Sequence, residues 1–155
     1  MTPSHLLRAA DIAAMPGEQK THFLNPNAVR LNKSLGDAVG LRQLGVHLIE
    51  VAPGRDSTEL HVLHYEEECI YVLSGVATLT LGDRRFEVAA GDFIGHPVRG
   101  EAHMLANTGS EPLVCLVMGQ RLAQDISDYP RQGKRLYRHS GEWDAVDQAQ
   151  LARIR

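Results

Sequence analysis

The sequence predicts an all-β fold, a sandwich or barrel built from short strands. Between residues 45 and 119, short runs rich in Val, Ile, Leu and Thr follow one another. Turn signals separate these runs, and no stretch among them shows the 3.6-residue period of an amphipathic helix. Short strands at regular spacing with turns between them are typical of β-sandwiches and β-barrels.

The strands are expected in a series of apolar segments. These are residues 29–35, 45–51, 60–64, 69–73, 76–82, 84–90, 91–97, 103–109 and 113–119. Gly82 and Asp83 separate two of the segments and are typical of a tight hairpin turn. The order of the segments therefore predicts a chain of antiparallel neighbours.

The two ends of the chain differ from this central region. Residues 1–28 are predicted to form an irregular N-terminal arm, with a short helix capped by Ser4 and ending at Ala14. Residues 121–155 are polar with scattered apolar side chains, which predicts an irregular C-terminal tail with a short helix in its last dozen residues. We expect this tail to pack on the barrel, residues 29–120, or on a partner subunit.

Composition and charge exclude several classes of function. The 155 residues carry a formal net charge of −3, so no basic surface is expected for nucleic acid or an anionic membrane. No run is long and apolar enough for a membrane span or a signal peptide. Cys69 and Cys115 lie in separate apolar runs and are predicted to be free thiols in a reducing compartment. We therefore expect a cytoplasmic protein.

Potential metal ligands are concentrated in residues 54–75. His61 and His64 come shortly before Glu68, on a predicted pair of strands. If His61 faces the interior, Glu68 on the next strand can converge with it. Because side chains alternate along a strand, His64 joins them only if the chain bulges or leaves the strand near Leu63.

His103 is expected to provide the other half of this site. It begins a later strand, after a loop bounded by Pro97 and Gly100. A His/His/Glu or His/His/His/Glu set suits a divalent transition metal: Zn, Fe, Mn, Ni or Cu. The sequence therefore predicts a metal site made by His61, His64, Glu68 and His103, with a small-molecule ligand beside it.

The spacing of these residues resembles the two motifs of the cupin superfamily, G-x5-H-x-H-x3or4-E-x6-G and G-x5-P-x-G-x2-H-x3-N. The matching positions are Gly54, His61, Glu68 and Gly75 in the first motif, and Gly91, Pro97, Gly100, His103 and Asn107 in the second. The stretch from Pro97 to Gly100 is one residue longer than the pattern. The resemblance covers roughly residues 24–145 and includes the small single-domain cupins. It implies a jelly-roll barrel, also called a double-stranded β-helix, with a metal in its mouth.

The first motif departs from the cupin pattern at the position of its second histidine. Leu63 stands where the family has its second histidine, so HVLH replaces HxH. Three alternatives follow. His64 replaces the missing ligand through a backbone shift, or three ligands (His61, Glu68 and His103) hold the metal, or the site is impaired and binds little metal.

Other residues have simpler expected roles. His96 is predicted to be a loop histidine, His47 a strand residue on either face, and Asn107 the tie of a turn. Glu66 and Glu67 are expected in a solvated turn. The candidate cavity wall consists of Val46, Leu48, Ile70, Val72 and Met104, and the apolar strand faces that predict a homodimer carry Tyr71, Leu73, Val114 and Leu116.

The resemblance leaves three classes of function open. The chain could be a metal-dependent enzyme on a small organic molecule, since oxygenases, isomerases, decarboxylases and lyases all occur on this fold. It could bind or sense a small molecule without turnover. It could also be a barrel with a vestigial metal site.

Overall fold

The structure, a computed structural model, describes residues 4–155. Its helices are α1 (Ala9–Ala14), α2 (Leu35–Ala38) and a 3-10 helix at Gln148–Gln150. Its strands are β1 (Glu18–His22), β2 (Asn25–Ser34), β3 (Leu44–Val51), β4 (Val62–Leu63), β5 (Glu68–Ser74), β6 (Val76–Leu81), β7 (Arg84–Ala89), β8 (Phe93–His96), β9 (His103–Ala106), β10 (Leu113–Gln120), β11 (Gln124–Tyr129), β12 (Lys134–His139) and β13 (Glu142–Asp147). The predicted all-β jelly-roll fold is confirmed.

The strands form three antiparallel sheets. The largest has the order β1-β2-β3-β10-β5-β8, and the others are β13-β12-β11-β4 and β7-β6-β9. Non-consecutive neighbours such as β3 and β10 show that the chain crosses between layers, as a jelly roll requires. The hairpin predicted at Gly82-Asp83 is present, with Leu81 paired to Arg84 across it.

A single residue pair joins the two smaller sheets. His61, next to β4, forms an isolated antiparallel bridge with His103 at the start of β9. Each backbone N–H donates to the other residue's carbonyl, over 3.2 and 2.9 Å. This bridge places the two residues side by side at the seam between the sheets, where both are buried.

The apolar core lies between the six-stranded sheet and the β7-β6-β9 sheet. It contains Ile49, Val51, Ile70, Val72, Ala77, Leu79, Val88, Ile94, Leu105, Leu113 and Cys115. On β3 the inner face carries His47, Ile49 and Val51, so the prediction of Val46 and Leu48 as cavity wall is wrong. Alternation defines two faces of a strand, but only packing against the other sheet decides which is buried.

The C-terminal segment is not irregular, contrary to expectation. Three strands, β11 to β13, form a meander whose first strand pairs with β4. The only helix in it is the 3-10 turn at Gln148–Gln150. The strands were missed because their exposed faces are polar, and polar strands lack the apolar alternation used to find them.

Glu66 also differs from its predicted place in a solvated turn. It is 6% exposed and accepts hydrogen bonds from Arg138 on β12 and from the Leu122 backbone, the latter at 2.7 Å. Glu67, its neighbour, is exposed as expected. The buried carboxylate ties the C-terminal sheet to the loop that precedes β5.

The N-terminal segment is more regular than predicted. Helix α1 begins at Ala9 rather than near Ser4, and the Arg8 N–H donates to the Asp11 carboxylate at 2.8 Å. Strands β1 and β2 then form a hairpin that extends the large sheet. Strand β2 begins at Asn25, before the boundary expected between residues 28 and 29.

Gly75 adopts a backbone conformation that other residues rarely reach. Its φ is +91°, and an added Cβ would lie 2.6 Å from the Pro112 carbonyl oxygen. We expect Gly75→Ala to lower the free energy of unfolding by about 3 kcal/mol or more, because strain and overlap add. Gly91→Ala is the matched control, since φ there is +94° with no atom within 4 Å, and should cost about 1–2 kcal/mol. Urea denaturation measures both, and equal losses would contradict this account.

The sequence also predicted two free cysteines, an exposed apolar strand face and no membrane-spanning helix. Both cysteines are free, Cys115 buried and Cys69 partly buried. Tyr71 and Leu73 are exposed, as is Phe93 beside them, so the apolar face exists, and a homodimer through it stays a prediction. Among residues 4–155, no helix has the length and hydropathy needed to cross a membrane.

Candidate metal centre

Three side chains with metal-binding atoms meet at the seam between the sheets. His61 and His103 come from the bridged pair, and Glu68 begins β5 in the opposite sheet. One ligand atom from each lies within 4.8 Å of the other two. The His103 Nε2 is 3.8 Å from the Glu68 Oε1. These distances leave room for an ion between the three atoms after a small closure of the side chains.

Backbone carbonyls orient both imidazoles. The Nδ1 of His61 lies 2.8 Å from the Glu59 carbonyl, and the Nδ1 of His103 lies 3.3 Å from the Glu101 carbonyl. When Nδ1–H donates to a carbonyl, Nε2 carries the lone pair. Metal-bound histidines commonly make this second hydrogen bond, which fixes the tautomer and the ring orientation.

His96 is a third histidine beside the group, although its sequence position predicted a loop. It ends β8 directly opposite Glu68 in the register, and it is 5% exposed. Its ring stacks on that of His103, with centroids 3.3 Å apart and planes 6° apart. The Nε2 atoms of His96 and His103 are both buried without a hydrogen-bond partner among residues 4–155. Such orphaned atoms fit a site that receives an ion or ligand.

Burial controls the ionisation of these side chains. It lowers the pKa of His61, and the nearby charge of His103 lowers it further. Burial, with His103, also lowers the pKa of His96 to about 3. For Glu68 burial opposes ionisation, but His103, His61 and His96 outweigh it and hold the pKa below its usual value. Neutral imidazoles and an ionised carboxylate are the forms that bind a metal.

The structure does not bring His64 to this group. Its Nε2 lies 2.8 Å from the Asp128 carboxylate on β11, and its backbone N–H donates to the Ile126 carbonyl. Asp128 also accepts two hydrogen bonds from Arg135. Although burial alone would raise it, these partners hold the pKa of Asp128 at about 2. His64 therefore anchors the C-terminal sheet, and the group that remains is His61, Glu68 and His103.

Two cavities meet at the group. The first, about 200 Å³, lies inside the barrel and is lined by apolar side chains such as Ile49, Ile70 and Met104. His47, His96 and the three side chains of the group also line it. The second, about 420 Å³, lies between the β1-β2 hairpin and the C-terminal sheet. Arg30, Thr58, His61 and Glu68 line both cavities. A ligand in either cavity can therefore reach the His61 and Glu68 side chains.

Comparison with known families decides the classification. The Cupin domain family model matches residues 47–119, which contain His61, Glu68 and His103. A solved structure from Acidithiobacillus ferrooxidans, named "Putative sugar phosphate isomerase", is 58% identical and covers 97% of each chain with a TM-score of 0.96. The chain belongs to the cupin superfamily.

Two further relatives resemble this cupin. A structure named as a sugar phosphate isomerase from a cupin superfamily, from Silicibacter pomeroyi, is 24% identical, covers 89% of each chain and has a TM-score of 0.79, which shows the shared fold. An uncharacterised protein of Methanocaldococcus jannaschii is 36% identical over 95 residues. That match spans 61% of this chain and 66% of the relative.

Sequence reasoning missed two residues of this cupin's site. His96 directly precedes Pro97 of the second motif, and its position opposite Glu68 would have followed from pairing β8 with β5. Arg30 lies on a segment that was expected to be a strand, but no local pattern indicates that its side chain reaches the cavities. Asn107, in contrast, has its expected role: it is 1% exposed, and its side chain bonds Val51, Gly109 and Glu111.

Proposed function

We propose that this cupin is a metal-dependent isomerase of a small phosphorylated sugar. His61, Glu68 and His103 hold a divalent transition metal, and His96 lies beside them. The observation that carries the proposal is the convergence of three ligand atoms within 4.8 Å at the junction of two cavities. One of them, the buried His103 Nε2, has no hydrogen-bond partner among residues 4–155. The nitrogen and oxygen donors suit Zn, Fe, Mn, Ni or Cu.

The chemistry of isomerisation suits these side chains. A bound divalent metal supplies Lewis-acid polarisation of a carbonyl or hydroxyl oxygen. Isomerisation of a sugar breaks a C–H bond at one carbon and forms one at its neighbour, so the reaction needs a group that accepts and returns a proton. His96 lines the first cavity, and its Nε2 has no hydrogen-bond partner among residues 4–155, so its position suits it to this role.

The names of relatives favour this reaction over others found on the fold. The Acidithiobacillus ferrooxidans protein carries the name of a sugar phosphate isomerase and matches this chain over 97% of its length at 58% identity. At that similarity, cavity-lining residues are expected to be largely shared. The relative's name supports the substrate class, and the site of this chain supports the metal.

Metal analysis and turnover together test the proposal. Protein purified without chelator is expected to contain close to one divalent transition metal ion per chain. A panel of aldose and ketose phosphates, followed by NMR, should reveal interconversion that chelation abolishes and the same metal restores. Metal with ligand binding but without conversion would indicate a sensing module instead. Protein that neither contains nor takes up metal would indicate a vestigial site.

A further inference from the structure

Arg30 is a partly buried cation that forms no ion pair with any of residues 4–155. It lies on β2 and, like Glu68 and His61, lines both cavities. Its Nη1 donates to the Ser57 carbonyl at 2.7 Å, and its Nε is buried with no hydrogen-bond partner among residues 4–155. Within that part of the chain, no carboxylate oxygen lies within 4.0 Å of its guanidinium nitrogens.

The other cations that line the second cavity are already paired. Lys20 lies 3.5 Å from the Glu18 carboxylate, and Arg138 pairs with the buried Glu66. Arg30 therefore differs from Lys20 and Arg138 in having no carboxylate partner among residues 4–155. A guanidinium has five N–H donors, of which the Ser57 carbonyl occupies one.

A partly buried cation without an ion-pair partner lowers the stability of the fold, so a functional role is expected for it. A buried donor left without a partner costs about 1–3 kcal/mol, and a charged group costs more. Burial accordingly lowers the pKa of Arg30, while the charge of Glu68 opposes that shift from across the cavity. Uncompensated polar groups of this kind concentrate at functional sites. The planar guanidinium matches a carboxylate or a phosphate, which can accept two parallel hydrogen bonds from it.

The loop of Ser57 and Thr58 places this cation beside the metal group. Ser57 holds Arg30 through its carbonyl, and the hydroxyl of Thr58 lies 3.5 Å from the His61 Nδ1. Thr58 lines both cavities together with Arg30. An anionic group on Arg30 would thus leave the rest of a small molecule next to His61 and Glu68.

We propose that Arg30 binds the anionic group of the substrate, a phosphate or a carboxylate, at the junction of the two cavities. The proposal deepens the proposed function, because it assigns the residue that selects a charged substrate and orients it toward the metal group. Arg30 contacts the anion and takes no part in holding the metal.

Anion binding by variants at this position tests the assignment. Calorimetric titration of the purified protein with inorganic phosphate, with acetate and with neutral glucose compares the two anions with an uncharged sugar. Arg30→Gln is expected to weaken binding of the preferred anion about tenfold or more, equivalent to one lost charge-assisted hydrogen bond. Arg30→Lys keeps the charge without the planar edge and should fall between. Arg85→Gln, an exposed arginine on β7, is the matched control and should bind as the wild type does.

Each outcome of this titration has a defined meaning. The anion that binds with the higher affinity, inorganic phosphate or acetate, identifies the anionic group of the substrate as a phosphate or a carboxylate. Equal anion binding by Arg30→Gln and the wild type, or no binding of either anion by the wild type, would overturn the proposal. So would loss of metal content in a folded Arg30→Lys, because Arg30 would then act by positioning Glu68. The titration is repeated on chelated protein, which separates anion binding by Arg30 from anion binding by a metal. A wild-type protein that contains no metal would disprove only the proposed function. An Arg30→Gln variant whose anion affinity equals that of the wild type would disprove only the role of Arg30.

Discussion

Replacing His103 with alanine is expected to abolish metal binding while the chain stays folded. His103 is 3% exposed, and its Nε2 is one of three ligand atoms within 4.8 Å. Removing a hydrogen-bonding partner of a ligand typically lowers metal affinity 10–100-fold, so removing the ligand itself should lower it more than about 100-fold. Metal content by mass spectrometry and metal titration measure the effect, and thermal unfolding checks the fold.

His64→Ala is the matched control for this substitution. His64 was a candidate ligand on sequence grounds, but it hydrogen-bonds Asp128 and lies outside the group. His64→Ala should therefore retain metal and lose only stability. Metal loss in His64→Ala, or full metal content in a folded His103→Ala, would contradict the three-residue site.

The second large effect is expected at Arg138. Its guanidinium pairs with Glu66, whose side chain is 8% exposed, and also donates to the Leu122 carbonyl at 3.1 Å. Arg138→Met would leave the Glu66 carboxylate buried without its cation. Breaking a buried pair from one side costs about 3–5 kcal/mol, so a loss of that size in the free energy of unfolding is expected in urea denaturation.

A double-mutant cycle separates the pair from other effects of Arg138. Adding Glu66→Gln to Arg138→Met should recover a substantial part of the loss, because the buried charge is then removed as well. Arg84→Met is the surface control: Arg84 and Glu101 are each about half exposed, and such pairs contribute about 0.2–1 kcal/mol. A loss at Arg138 no larger than that at Arg84 would show that Glu66 is not held by this pair.

The sign of the pKa shift at Glu66 supports the same account. Burial raises the pKa of Glu66 even though Arg138 and the Leu122 N–H oppose it. A carboxyl whose pKa is higher in the folded state than in the unfolded state stabilises the fold in its protonated form. Its contribution to the free energy of unfolding therefore falls as the pH rises above the pKa that the group has in the unfolded chain. Without Arg138 the folded-state pKa of Glu66 should rise further, so the loss of stability should continue to higher pH.

Much of the central barrel could be predicted from sequence. Alternating apolar residues located the strands between residues 45 and 119, and glycine-containing turns separated them, because both patterns express local backbone preferences. The spacing of the two motifs also singled out His61, Glu68 and His103, which the fold then brings within 4.8 Å of one another. These features depend on short stretches of chain and on which residue types can bind a metal.

The remaining features depend on residues far apart in the chain. His64 faces away from the metal group because Asp128, 64 residues later, accepts its hydrogen bond. The inner face of β3 and the place of His96 opposite Glu68 follow from strand pairing. Among residues 4–155 no carboxylate pairs with Arg30, and its place in the lining of two cavities follows from the way the fold assembles the sheets. The sequence by itself determined the strands, the family and three candidate ligands, whereas only the tertiary structure decided burial and partners, since those depend on what each side chain meets.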